Sequence, residues 1–296
     1  GLPSETIDVS LKDGVLFFEG LSVPVPGDLS VELHDAKGDH VTRSNPMRII
    51  EHSELVPFWG ELHGQSEETI GTNSIYDYFA FARDKAGLDV IVHQGNDFQI
   101  TNEFWEKIQS MTQQFLDEGE LVTFPGYEWS GNTGLGGDRN VLFFQEGEPI
   151  RRSSHVLVPD LTDLNNDCNS SDDLFLALKE TKTIVFAHVG GRYADIQSHE
   201  GNLERSVEIH SAWGTFEWLL QDALRFGYRV GIVSNSDGHK GRPGASYPGA
   251  SMFGSYGGLT CILARKLTRE MIWESLLRRH HYGTTGTRMY MDVVVL

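Results

Sequence analysis

His63, His93, Glu128, His188, His210, Asp237 and His239 are the residues of this sequence best placed to do chemistry. All but His239 stand at the end of a short apolar run. PFWGEL leads to His63, LDVIV to His93, LVTFPGY to Glu128, TIVFA to His188, SVEI to His210 and YRVGIVS towards Asp237. Imidazole nitrogen and carboxylate oxygen together suit Zn, Mn or Fe. A carboxylate such as Glu128 can bridge two cations in a hydrolytic site. Side chains two residues apart in an extended segment point the same way. His63 and Gln65 form such a pair, with Glu61 one step earlier, and so do Glu208 with His210 and Asp237 with His239. One histidine at a strand end is more often a structural residue than a ligand. Six strand ends of seven finishing in ligand types point to a metal centre. His34, His40, His52, His155, His199, His280 and His281 match no strand end and read as surface or structural.

The elements that must position these residues alternate. A seventh strand candidate is GLTCILA. Between the strands lie helical patterns at 74–86, at 102–118 from an Asn102 cap, at 171–180 from Ser171, at 214–226 after Trp213 and at 268–280 from Thr268. Seven strands alternating with helices predict an α/β fold, a parallel sheet closed into a barrel with its strand ends on one face. Residues 1–50 read as short strands, GVLFFEG and LSVELHD, with turns at Pro26-Gly27-Asp28 and Lys37-Gly38-Asp39. They are expected to be a small β appendage or the end of a preceding β domain. Residues 51–296 form the barrel, with an insertion over 129–170 (SGNTGLGGDRN, VLFFQ and a polar stretch) expected to build a rim or lid. MYMDVVVL reads as a last strand.

Arg192 in HVGGRY is a candidate to grip an anionic substrate group; a surface salt bridge is the alternative. Arg139 in GGDRN and Lys240 and Arg242 in DGHKGRPG adjoin ligand segments and are further candidates to bind the substrate. Trp129 and Trp213 stack on substrate or simply pack. The formal charge of -18 repels polyanions, which disfavours nucleic acid as a partner and leaves a small anion held at a metal centre. Cys168 and Cys261 make no disulfide framework, which leans towards a reducing, cytoplasmic compartment. No apolar run approaches a membrane span, and no signal sequence opens the chain. There is no GxSxG elbow for covalent catalysis.

GELHGQS resembles the G-D-L-H-x-H-T opening of the polymerase and histidinol phosphatase (PHP) superfamily. FWGELHGQSEETIGT, FPGYEWS, SNSDGHKG and LTREMIWESLLRRHHYGTTGTR are more closely similar to the PHP-like family DUF3604, over residues 57 to about 290. The resemblance implies a distorted (β/α)7 TIM-like barrel with up to three divalent ions. His63, Glu128 and Asp237 would serve one; Glu128, His188 and His210 a second; His93 and His239 a third. The chain departs from the pattern at Gln65, where a second histidine is usual, and again near ETIG at 68–71. That implies two metals instead of three, or Gln65, Glu67 or Glu68 as oxygen ligands. The activity implied is hydrolysis of a small-molecule phosphoester by a metal-bound hydroxide, with Asp237 and His239 handling the proton. An amide, lactone or sulfate ester at the same centre is one alternative. A non-catalytic metal-containing binding or accessory module of a larger protein is another.

Overall fold

Pro125 interrupts the apolar segment LVTFPGYE. A proline offers no N–H to a strand ladder, and the chain on its two sides joins different sheets. The computed structural model describes residues 6–11, 14–17, 23–245, 254–291 and 293. They fall into two units, Gly1–Glu54 with Arg288–Leu296, and Leu55–Thr287.

In the larger unit, one sheet is built from β5 (Val56–Glu61), β6 (Val90–Val92), β7 (Val122–Phe124), β14 (Leu259–Ala264) and β15 (His281–Thr284), in the order β15-β14-β5-β6-β7. Its β5, β6 and β7 are parallel, whereas β14 runs antiparallel to both β5 and β15. The second sheet holds β8 (Gly126–Ser130), β9 (Asp138–Phe143), β10 (Thr183–Ala187), β11 (Glu204–Ser211), β12 (Gly214–Thr215) and β13 (Gly231–Ser234). Its order is β12-β11-β10-β9-β8, with β13 also on β11. Here β10, β11 and β13 are parallel, and β9 runs antiparallel between β8 and β10.

This corrects the expected (β/α)7 barrel: the described residues of the larger unit form two mixed sheets and no closed barrel. Parallel neighbours need a long crossover, whereas a short loop returns the chain antiparallel. The segment VLFFQ, placed by its sequence in an insertion, follows β8 through a short Gly-rich loop. It folds back as a hairpin, pairing Ser130 with Asp138 and Gly126 with Leu142.

Among the described residues, five α-helices accompany the sheets: α1 (Ile75–Phe81), α2 (Asn102–Phe115), α3 (Ser171–Leu178), α4 (Glu217–Arg225) and α5 (Arg269–Arg278). Ser74, Thr101, Ser170 and Thr268 cap α1, α2, α3 and α5, each side chain accepting from an amide three residues on. Asn102 and Ser171 are therefore first helical residues, not caps. Phe104, Trp105, Ile108 and Phe115 set the buried stripe of α2 at helical spacing. Among the described residues no helix is long and apolar enough to cross a membrane. Cys168 and Cys261 are buried free thiols.

The smaller unit carries two antiparallel pairs, β1 (Gly27–Leu29) with β4 (Met47–Ile49) and β2 (Glu32–His34) with β3 (His40–Arg43). The turn expected at Lys37-Gly38-Asp39 is present, with Asp35 Oδ1 accepting from the amides of Lys37 and Asp39. Residues 18–20 of GVLFFEG, and 292 and 294–296 of MYMDVVVL, lie outside the described residues.

Arg139 shows how β9 is anchored. In the ladder it stands opposite Trp129, whereas Glu128 stands opposite Asn140, so Arg139 lies on the other face from Glu128. Its guanidinium is fully buried. It donates to Glu204 at 2.8 Å and to the carbonyls of Asp195 and Ser198 at 3.0 and 2.8 Å. These bonds consume the donors that a substrate would need, which corrects the substrate-binding expectation for this residue. Breaking a buried pair strands the other charge, so Arg139→Ala is expected to cost about 3–5 kcal/mol in chemical denaturation. A change within about 0.5 kcal/mol, the range of an uninvolved surface site, would contradict this structural role.

Candidate metal centre

Backbone bonds bring the ligand-bearing loops together before any side chain is considered. The loop after β5 is tied to the loop after β13 by Asp237 N to His63 O at 2.8 Å and by Gln65 N to Gly238 O at 2.9 Å. Glu128 N donates to Gly95 O at 2.9 Å, which ties β8 to the loop after β6. His188 follows the last residue of β10. Asp237 adopts a left-handed φ of 48°, a conformation that costs a non-glycine residue about 1–3 kcal/mol and concentrates at functional sites.

His63, Glu128 and His188 are buried, with one ligand atom from each lying within 4.8 Å of the others. Nε2 of His63 is 3.7 Å from Glu128 Oε2 and 3.2 Å from Asp237 Oδ1. Nε2 of His188 is 3.6 Å from Glu128 Oε1. Glu128 thus turns one oxygen to each ring. His63 Nε2, His188 Nε2 and Asp237 Oδ1 make no hydrogen bond. Buried polar atoms are nearly always paired, so three such atoms converging on one point fit a divalent cation.

The surrounding bonds set the rings for that task. Nδ1 of His63 meets Glu208 Oε1 at 3.1 Å, and Asn235 Nδ2 donates to Glu208 Oε2 at 2.6 Å. A carboxylate on Nδ1–H leaves the Nε2 lone pair facing the centre. Asn140 Nδ2 lies 3.4 Å from His188 Nδ1 while Asn140 Oδ1 has no partner. Turning that amide over satisfies both groups and frees His188 Nε2 as an acceptor.

The electrostatics are those of an anionic pocket. Burial opposes the charge on His63, but Asp237, Glu208 and Glu128 outweigh it and raise its pKa well above the usual imidazole value. Burial and then His63 oppose the charge on His188, and Glu128 and Asp138 raise it on balance. Burial alone would raise Glu128; the neighbouring imidazoles of His188 and His63 hold it below the usual carboxylate range. Asp138 is pushed up to about 6 by burial and then by Glu128, and burial pushes Glu61 up to about 8.

Other expected site residues are placed differently. Gln65 Nε2 donates to Glu128 Oε2 at 3.1 Å while its oxygen accepts from Thr69 at 2.9 Å, so it orients Glu128. His239 Nε2 lies 3.3 Å from Asp237 Oδ1, at the edge of the cluster. His93 stands apart: its Nε2 meets Ser66 Oγ at 2.9 Å, and burial lowers its pKa to about 4. His210 is also apart, with Nδ1 on Thr215 Oγ1 at 2.7 Å and Nε2 on the Tyr256 carbonyl at 2.9 Å. Lys240 is half-buried, and its carbonyl accepts from Asn73. Arg192 bonds Asp138 through Nε at 2.7 Å and stacks over Phe98 at 5.6 Å. Trp129 is wholly buried and donates to the Cys168 carbonyl.

The sequence reading overlooked Asp138 and Asn140. The alternation of β9 contained the signal, because an outward Arg139 puts both neighbours on the Glu128 face. A Cβ on Gly190 would lie 3.2 Å from both Asp138 Oδ2 and His188 Nε2 and 3.4 Å from Asp237 Oδ2. Beside the cluster opens a cleft of about 220 Å³, lined by Arg192, Phe98, Ser130, Ser153 and Asn169 among others. Asp97 braces its wall, accepting from the amides of Ser130 and Ser153, and burial pushes its pKa up to about 7.

His63→Ala and His188→Ala are each expected to lower the metal bound per chain after loading with Mn, Fe or Zn, as read by elemental mass spectrometry. Glu208→Gln is expected to weaken affinity by about 10–100-fold through the orientation of His63. His210→Ala is expected to leave stoichiometry unchanged; an equal loss there would make His210 a ligand.

Comparison with known proteins places the chain in a family. The sequence profile described as "Protein of unknown function (DUF3604)" matches residues 38–204 and 234–294. An uncharacterized protein of Chlamydia pneumoniae, CPj0512/CpB0533, is 25% identical over 312 residues, covering 95% of this chain and 48% of the relative. An uncharacterized protein of Chlamydia muridarum is 22% identical over 308 residues with the same coverage. The chain therefore spans about half the length of the curated relatives it matches. A crystal structure from Bacteroides vulgatus, of a two-domain protein containing a predicted PHP-like metal-dependent phosphoesterase, superposes with a TM-score of 0.53 at 13% identity. It covers 82% of this chain and 69% of that one, a likeness of fold. With more than half of its residues matched, the chain belongs to the DUF3604 family.

Proposed function

We propose that the larger unit is a metal-dependent hydrolase acting on a phosphoester of a small molecule. The observation that carries this reading is the convergence of buried His63, Glu128 and His188 with unbonded Nε2 atoms. These three residues and Asp237 would hold one or two divalent ions, Mn, Fe or Zn, with Glu128 shared. When bound, such ions polarise the attacked ester and lower the pKa of a water.

The chain's own groups do the rest. Asp237 and His239 form a proton relay: Oδ1 is fixed by a strained backbone 3.3 Å from Nε2 of His239. His239 is 7% exposed, against 2% for Asp237. Glu208 and Gln65 fix the angles of His63 and Glu128. Arg192 spends Nε on Asp138, and its other guanidinium nitrogens carry no hydrogen bond to described residues. They are placed to take an anionic substrate group from the cleft. The similar fold of the Bacteroides vulgatus protein, with its predicted phosphoesterase, supports the choice of a phosphoester.

A neutral bond such as an amide or lactone is the second reading. Asp138 favours it by already balancing the charge of Arg192. Chelator-treated protein reloaded with Mn, Fe or Zn, then assayed against phosphomonoester, phosphodiester, sulfate ester, amide and lactone substrates, separates the two. The expected result is metal-restored phosphate release, with kcat lowered about 10²–10⁴-fold in Asp237→Asn. Turnover of only the lactone or amide favours the second reading. Metal binding with no turnover of any bond sinks the hydrolase reading and leaves a binding module.

A further inference from the structure

A second cleft, of about 390 Å³, lies at the opposite end of the parallel strands from the metal centre. Its walls come from the start of β11 and the residues before it, the α4–β13 connection and the end of α5: Arg205, Arg229, Arg279, His199 and Tyr228. β11 starts beside this cleft at Glu204, and Glu208 reaches His63 from further along the same strand. A strand rises about 3.3 Å per residue, so the two sites stand on the order of 15 Å apart.

Three arginines around one cleft are out of keeping with a chain of net charge -18. None of the three forms an ion pair with a described residue. Arg279 gives its Nε to the Arg229 carbonyl at 2.7 Å, and Arg205 gives its Nε to the Asn202 carbonyl at 3.1 Å. Both bonds aim the guanidinium groups without neutralising them. Of the carboxylates nearby, Glu204 is taken by Arg139 at 2.8 Å and by His199 at 2.9 Å, Glu200 accepts from Asn202, and Asp195 acts on Tyr228 without an ion pair to any of the three arginines. Arg279 is half-buried and held at a φ of 62°, a conformation unfavourable for a side chain of its size. Burial and then the charges of Arg205 and Arg229 lower its pKa, a mark of like charges held together. His199 lies flat on Tyr228, ring centroids 3.9 Å apart, and makes a rigid aromatic wall.

We propose that this cleft is a binding site for a small phosphorylated anion, separate from the metal centre. Three guanidinium forks offer the paired donors that phosphate oxygens accept. An anion with more than one negative charge relieves the repulsion among them.

The test is calorimetric titration of metal-depleted protein with inorganic pyrophosphate in salt of physiological strength. Saturable binding is expected in the parent and in His63→Ala. It should weaken by about tenfold or more in the double variant Arg205→Gln/Arg229→Gln, which spares the backbone-capping Arg279. The same double variant should melt close to the parent without ligand, because the repulsion it relieves offsets the Arg205–Asn202 bond it loses, and should lose the rise in melting temperature that pyrophosphate gives the parent. Absence of saturable binding overturns the proposal. So does binding that survives in the double variant or disappears in His63→Ala, since the anion then sits elsewhere.

Discussion

The burial of Glu128 is the constraint on which the rest of the larger unit depends. A carboxylate removed from water costs several kcal/mol unless it is paired. Glu128 meets that cost with His63 on one oxygen and His188 on the other, aided by Gln65 and Ser130. Those rings then need partners of their own, found in Glu208 and Asp237 for His63 and in Asn140 for His188. More carboxylates than imidazoles result, and the surplus holds protons on both rings more tightly than water does. A divalent cation competes for the same lone pairs, which couples metal affinity to pH.

Such a cluster demands exact placement, and the backbone supplies it. Gly64 pairs with Gly238 as an isolated parallel bridge beyond the strand ends, and Asn96 bridges to Glu128 within β8. These bonds fix the loop after β5 to the loop after β13, and the loop after β6 to β8. Pro125 lets a single apolar segment serve both sheets. β7 extends one sheet, and β8 carries Glu128 on the other. The strain at Asp237 is affordable because bonds on either side of it determine its position.

Strand ends were legible in the sequence because a ligand type at the end of an apolar run survives any error about strand direction. That pattern led to His63, Glu128, His188 and Asp237, which the structure brings together. It led equally to His93 and His210, which the structure keeps apart. For His210 the cause is local. The pairing of β11 with β13 shifts register between Glu208 and His210, and such a bulge re-aims side chains. Strict alternation would turn both inward; instead Glu208 faces His63 and His210 turns to Thr215 and Tyr256. The barrel failed for a different reason. Period-two alternation identifies a strand but not the direction of its neighbour. The β8–β9 hairpin was hidden inside a Gly-rich stretch that reads as loop. Proximity in sequence to a ligand segment makes Arg139 a site candidate, but its register opposite Trp129 places it outside the Glu128 face.

Strand polarity connects the two ends of the second sheet. β10, β11 and β13 run parallel, so their C-terminal ends gather the carboxylates and imidazoles while the N-terminal ends of β11 and β13 gather arginine. The two groups of charge are maintained by opposite means. At the metal centre every charge touches a partner, and Coulomb attraction at short range offsets desolvation. At the arginine cleft the charges stay half-solvated and face one another, so water carries the cost and the repulsion persists. Retaining unpaired like charge works against stability. Its persistence in an acidic chain follows if the cleft earns stabilisation only when an anion enters, as a pocket kept ready for a ligand does.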